Sequence, residues 1–373
     1  MVVQCAMGER LRAWLGRMAL GATVLAVASG APINEGDVLL ISNRLQAPPI
    51  RSLSEADRLE QRLRALTLQF PGDVGVAVRR LDAGWTVSIN GDRAMPQQSV
   101  SKLWVSMAIL AAADRGELGL DERITVRKED LSLFHQPIRK YVGEAGYTTS
   151  LRSLMEGALQ QSDNAANDAL VKRLGGPFAV QVAIVGRNLD GIRFGPGERD
   201  MQTAAAGLSW KPEYSFDRTF WDEREALPAA RRKAALDAYL TDPPDAATPL
   251  GIVEALSRLH RGDLLSAGST AEMLGVMGGS VTGGGRLRAG LPDGWKLAHK
   301  TGTGQVMGLL ATGYNDVGLI TAPDGRVYAV AVMIGATRQP LKARQGFMVG
   351  VARAVAGEDA APLPPGATEV EID

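Results

Sequence analysis

From Val100 to Ala113 nearly every residue is apolar, with Leu103, Trp104, Val105, Met107, Ile109 and Leu110 followed by three alanines. A helix that is apolar around its whole circumference presents no face to water, so it must run through the middle of the fold. Yet Ser99 stands at its start and Lys102 follows three residues later. Positions i and i+3 share one helix face. An ammonium carried into an apolar interior is costly unless it is paired or gives up its proton. One reading is a serine nucleophile activated by a neighbouring lysine. The other is a serine that caps the helix and a lysine that snorkels to water. The S-x-x-K pattern is too short to choose between them.

The chain has 373 residues, room for one large domain or two smaller ones, and Lys+Arg and Asp+Glu balance at 41 each. That balance creates no field favouring nucleic acid or an anionic membrane, so neither is an expected partner. His135, His260 and His299 lie far apart and Cys5 is the single cysteine. A metal site is therefore disfavoured, a histidine-based triad is hard to build, and no cofactor is expected. Residues 1–31 have the form of an export signal: Arg10, Arg12 and Arg17 lead into a short apolar run, 18–27, followed by small residues. This implies a periplasmic or secreted protein, off the membrane once the signal is cleaved. Residues 32–53 read as a leader and the Pro-, Ala- and acid-rich segment 358–373 as a disordered tail.

Ser54 with Asp57 forms an S-x-x-D cap for a helix that places Leu59, Leu63 and Leu66 on one face. Short β runs at 73–79 and 85–90 flank a turn at Asp82, Ala83 and Gly84. Helical patterns then dominate, clearest at 150–161, 167–174 (stopped by Gly175, Gly176 and Pro177), 249–259 and 270–277. Strands return at 295–300, 309–321 and 327–335, before a last helix at 343–355. Strands at both ends and helices between them predict an α+β fold. Its sheet is antiparallel and five-stranded, built from 54–98 and 278–357 and flanked by the terminal helices. An all-α domain, 99–277, is inserted into it. A cleft at the join would hold the start of the buried helix.

Two more short patterns follow in order: Ser162, Asp163 and Asn164 between two helices, and Lys300, Thr301 and Gly302 at a strand end. With S-x-x-K at Ser99 and Lys102, they resemble the set carried by class A serine β-lactamases and their penicillin-binding relatives. The resemblance covers most of 54–357 and extends to Leu174, Gly175, Gly176 and Pro177, and to Tyr314, Asn315 and Asp316. It implies a β-lactam as the small-molecule partner and a monomer that acts through an acyl-Ser99 intermediate. By the same resemblance Lys102 takes or relays the Ser99 proton, and Ser162, assisted by Lys300, protonates the leaving nitrogen. Asn164 holds the substrate's side-chain amide. Ser99 and Thr303 supply oxyanion N–H groups, Lys300, Thr301 and Thr303 receive the carboxylate, and Phe134 forms a wall. Gly302 leaves space along the strand edge.

The resemblance assigns deacylation to a glutamate in an E-x-x-L-N motif. Here the counterpart is Glu198, Arg199, Asp200, Met201 and Gln202, in which Gln202 replaces the asparagine that positions water and Met201 the leucine. The alternative is a surface turn in which Glu198 pairs with Arg193 or Arg199. Relative to the family pattern the chain inserts 203–247, rich in aromatics, which reads as a packed surface extension or as a lid over the cleft. Arg344 and Arg338 are the candidates to assist the substrate carboxylate. Other activities on the same scaffold are a D,D-peptidase or esterase, and a non-hydrolytic protein that binds β-lactams or wall fragments.

Overall fold

The computed structural model describes residues 53–357. The expected export signal, nearly all of the leader, and the tail lie outside the described residues. Helix α1 (Glu55–Gln69) begins with a complete capping box: Ser54 Oγ accepts from Asp57 N while Asp57 accepts from Ser54 N. Strands β1 (Gly72–Arg80) and β2 (Thr86–Ile89) form a hairpin. The short β3 (Met95–Pro96) precedes a 3₁₀ turn, Gln98–Ser101, and helix α2 (Lys102–Asp114). Then come β4 (Arg123–Val126), β5 (Tyr147–Ser150), α3 (Leu151–Gln160), α4 (Asn164–Arg173) and α5 (Pro177–Val185). The next elements are α6 (Glu198–Ala205), α7 (Thr219–Ala226), α8 (Ala229–Thr241), β6 (Ala246–Ala247), α9 (Pro249–Arg261) and α10 (Ala267–Gly278). The chain closes with β7 (Lys296–Thr303), β8 (Val306–Met307), β9 (Leu310–Thr321), β10 (Val327–Thr337) and α11 (Leu341–Ala356).

The main sheet is antiparallel with order β2-β1-β10-β9-β7, the five strands expected, and β8 adds a two-residue ladder on β9. Strand β10 shows why the sheet lies in the middle. Its side chains alternate with period two. Tyr328, Val330, Val332 and Ile334 join Leu63 of α1 and Phe347 of α11 in one core. Ala329, Ala331 and Met333 face a second core with α2, α3, α4 and α9. Both faces of the sheet are therefore covered, and the helical side is centred on α2, buried from Lys102 through Ala112.

Two local expectations change. The buried helix does not reach back over Ser99: Met95 pairs with Ala247 in a small ladder, and Ser99 lies in the 3₁₀ turn ahead of α2. Long-range contacts hold this segment, since Asn315 Nδ2 donates to the Pro96 and Gln97 carbonyls at 2.8 and 3.0 Å, and the Gln97 carbonyl also accepts from Val100 N at 3.2 Å in the 3₁₀ turn. The stop expected at Gly175, Gly176 and Pro177 is found, with α4 ending at Arg173, and Pro177 also starts α5, where its missing N–H costs nothing. Glu198 opens helix α6 rather than a turn, directly after Gly197, whose φ is 101°.

Candidate active site

The 3₁₀ turn, the start of α4, the start of α6 and the edge strand β7 converge at one end of α2. Within this hollow Lys102 Nζ, fully buried, donates to Ser99 Oγ at 2.8 Å, to Asn164 Oδ1 at 2.9 Å and to Glu198 Oε1. All three ammonium protons thus have acceptors, which meets the condition for burying such a charge. Glu198 is 3 % exposed and ion-paired with Lys102; Arg193 instead binds Asp242, and Arg199 reaches the Glu129 carbonyl. The second Glu198 oxygen, Oε2, is buried without a protein donor. Beside Glu198 is a cavity of about 10 Å³ lined in part by Ser101, Asn167 and Asp245, and Asn167 Oδ1 is likewise unpartnered. That volume is about one water molecule's worth, between two free acceptors.

Ser162 is held on the facing side. Its φ is 62°, while Asp163 caps α4 through Ala166 N and accepts from Ile138 N, so the tripeptide is tied at its centre. Lys300 Nζ, fully buried on β7, donates to Ser162 Oγ at 2.9 Å and to the Thr301 carbonyl at 2.8 Å. Burial, with the charge of Lys102 nearby, pushes the Lys300 ammonium well below the usual lysine range and makes it a readier proton donor. Five non-glycine residues among those described have positive φ, and Gln98, Phe134 and Ser162 of these border the hollow. Backbone strain is concentrated where side chains must be aimed.

Asn164 Oδ1 is taken by Lys102, and Nδ2 donates to the Leu133 carbonyl at 2.8 Å, which leaves its second N–H uncommitted by these bonds. Gln202 does not touch Glu198: its Nε2 donates to Gln98 Oε1 at 2.7 Å and its Oε1 accepts from Gln305 at 3.1 Å. The Thr301 hydroxyl meets that of Thr282 at 2.8 Å, and exposed Thr303 accepts from Arg286 Nη2 at 2.5 Å. Gly302 does not open the strand edge to substrate. A Cβ there would lie 2.3 Å from the Gln97 carbonyl oxygen, so the glycine lets β7 close onto the turn that carries Ser99. Gly302→Ala is accordingly expected to cost about 1–3 kcal/mol by overpacking against backbone. Urea denaturation checks this; an unshifted midpoint would show that the two segments are not held so closely.

The arginine on Thr303 is Arg286, not Arg344 or Arg338. Arg286 also donates to the Gly302 and Asn315 carbonyls, at 2.9 and 2.5 Å, and lies 3.8 Å over the Tyr314 ring. Arg344 packs on the same ring at 4.9 Å, while Arg338 is exposed beyond β10. The signal available in the sequence was a run of three glycines, residues 283–285, delivering an arginine. Gly283 leaves room for the Thr301 methyl, 2.6 Å from where a Cβ would sit, and Gly285 for Gln345.

A sequence profile described as "Beta-lactamase enzyme family" matches residues 58–357. The chain belongs to the beta-lactamase enzyme family. Beta-lactamase VEB-1 of Pseudomonas aeruginosa is 25% identical over 317 residues, covering 85% of this chain and 95% of that protein. The crystal structure of a beta-lactamase from Chitinophaga pinensis DSM 2588 superposes with a TM-score of 0.67 at 29% identity, covering 80% of this chain and 97% of that one. An ancestral (GNCA) class A beta-lactamase superposes at 0.63 and 29%, covering 80% and 99%.

Within this beta-lactamase family member the insertion is part of the site's framework. Tyr239 on α8 accepts from Gln98 Nε2 at 2.5 Å and donates to Asp245 Oδ1 at 3.0 Å; Asp245 Oδ2 accepts from Gln98 N at 2.7 Å. Gln98, one residue before Ser99, is thereby held by backbone and side chain together. None of these three residues was picked out by motif, because their roles appear only when distant segments meet.

Asp245 is 1 % exposed, and burial pushes its carboxyl up to about 6. A raised folded-state value means the protonated form stabilises the fold, fully below the unfolded value of 3.8, and that this contribution is lost as pH rises through 6. The shift corresponds to about 3 kcal/mol between the two limits. Asp168, also pushed up to about 6, acts in the same sense. In Asp245→Asn the stability gained on going from pH 7.5 to 4.5 is expected to shrink, leaving only the remaining carboxyls' share. Thermal unfolding at both pH values measures it; a slope equal to the parent's would rule out the buried carboxyl.

Proposed function

We propose that the chain is a serine β-lactamase that hydrolyses the lactam amide through an acyl-Ser99 intermediate. The observation that carries this reading is Lys102 Nζ joined at once to Ser99 Oγ, Asn164 and Glu198 in a buried hollow. Moving one proton from Lys102 to Glu198 along their hydrogen bond turns an ion pair into a neutral pair, which low polarity favours. The resulting amine accepts the Ser99 proton as Oγ adds to the lactam carbonyl carbon. The C–N bond breaks, and the nitrogen takes a proton from the Ser162 hydroxyl, which is replenished by Lys300. Before deacylation Glu198 gives up the proton it took and Lys300 regains one, so that Glu198 is a carboxylate again; its Oε2, free of protein donors, takes a proton from the water that attacks the ester, Ser99 leaves with a proton from Lys102, and Glu198 restores that proton to Lys102. The backbone N–H groups of Ser99 and Thr303 serve the developing oxyanion, each worth on the order of 3 kcal/mol. Arg286, Thr301 and Thr303 receive the ring carboxylate.

Nitrocefin, which changes colour when its lactam ring opens, tests this. Repeated turnover is the expected result. A single stoichiometric burst would instead favour a binding protein, and cleavage of D-Ala-D-Ala peptides without nitrocefin turnover a peptidase. The basic-then-apolar order of residues 10–27 supports export to the periplasm or beyond. Fractionation of expressing cells checks the location.

A further inference from the structure

The insertion also crosses the cleft mouth. On one side Phe134 stacks on Trp221 of α7, ring centroids 5.4 Å apart, and meets Phe220 edge-on at 5.1 Å. On the other, Arg224 Nη2 of α7 donates to the Val306 carbonyl at 3.0 Å, and Met307 and Leu310 pack on Leu236 and Tyr239 of α8. Phe134 follows Leu133, whose carbonyl holds Asn164, and Val306 lies three residues beyond Thr303. An acyl side chain leaving the lactam between Asn164 and the end of β7 therefore runs towards α7.

What α7 offers there is a cation. Arg224 is 9 % exposed, yet its guanidinium forms no ion pair among the described residues. It lies 5.5 Å over the Trp221 ring, so one face is backed by the indole. Burial pushes this guanidinium down, and Arg232 adds to that. A buried cation without an anion carries an unrecovered desolvation cost, which an incoming carboxylate would offset through charge-assisted hydrogen bonds.

The geometry points to a second anion subsite at Arg224 that recognises a carboxylate on the acyl side chain of the substrate, in addition to the ring carboxylate at Arg286. This deepens the hydrolase reading and rests on it. Two planar guanidiniums, Arg286 on the Thr303 hydroxyl and Arg224 on the Val306 carbonyl, select a dianionic lactam. Because the side-chain carboxylate takes no part in bond breaking, its contribution falls on KM more than on kcat.

Carbenicillin and benzylpenicillin make the matched pair, differing by one carboxylate on the side-chain carbon. The readout is the ratio of their kcat/KM values in the full-length enzyme. Arg224→Met is expected to lower the carbenicillin-to-benzylpenicillin ratio about ten-fold, mainly through the KM of carbenicillin, and Arg224→Lys to recover part of it. A ratio that stays within two-fold of the parent's, whether both substrates fall together or neither falls, overturns the subsite. If the unaltered enzyme turns over neither compound, the hydrolase reading fails first and takes the subsite with it.

Discussion

Replacing Lys102 by methionine is expected to weaken the protein and nearly stop acylation at once. The ammonium has no exposure and holds Ser99, Asn164 and Glu198 together. Methionine fills most of the volume, so the packing term stays small. What changes is Glu198, left as a buried carboxylate without its cation; removing one partner of a buried pair costs about 3–5 kcal/mol. Urea denaturation at pH 7.5 reads the loss. Loss of the base that accepts the Ser99 proton removes about 10²–10⁴-fold from the acylation rate. A variant as stable as its parent would mean that the pair is not formed in the protein.

Glu198→Gln separates the two halves of the reaction. The amide oxygen of glutamine still accepts from Lys102, but the other terminus is an NH₂ group and cannot take a proton from water. Acylation should slow, since an amide cannot take the Lys102 proton, but deacylation, which loses the base for its water, should fall further, by about 10²–10⁴-fold. Stopped-flow mixing with nitrocefin is expected to show one equivalent of rapid colour change followed by a slow steady rate. The replacement of the family's asparagine by Gln202 bears on the same step. Gln202 is occupied with Gln98 and Gln305, so water is left to Glu198 Oε2 and the acceptors behind it. If the Glu198→Gln variant turns over nitrocefin at the parental rate, the water is activated elsewhere.

Much of the architecture was legible because it is local. The apolar run of α2, the capping box at Ser54 and the alternating β10 each declare their structure within a dozen residues. Ser99, Lys102, Ser162 and Lys300 were legible as chemistry, since their side chains act at short fixed spacings, and the fold brings them to one hollow. What escaped reading depends on partners far along the chain. Asn315 reaches 219 residues back to Pro96 and ties the segment before Ser99 to β9. Gly302 has its reason in the Gln97 carbonyl, and Arg286 has its reason in the hydroxyl of Thr303. The insertion was read as surface packing or as a lid. Its aromatics do pack, with Tyr214 and Phe220 buried, but Tyr239 also braces Gln98 and α7 spans the cleft mouth. Residue type alone does not distinguish an aromatic that fills a core from one that bridges two walls.

The chemistry attributed to Ser99 is tested most directly by weighing the protein. Glu198→Gln incubated with benzylpenicillin should gain the mass of one intact antibiotic, and digestion should place that mass on the peptide containing Ser99. The same variant carrying Ser99→Ala should gain nothing. An adduct on another residue, or continued hydrolysis after Ser99→Ala, would contradict covalent catalysis at this hydroxyl.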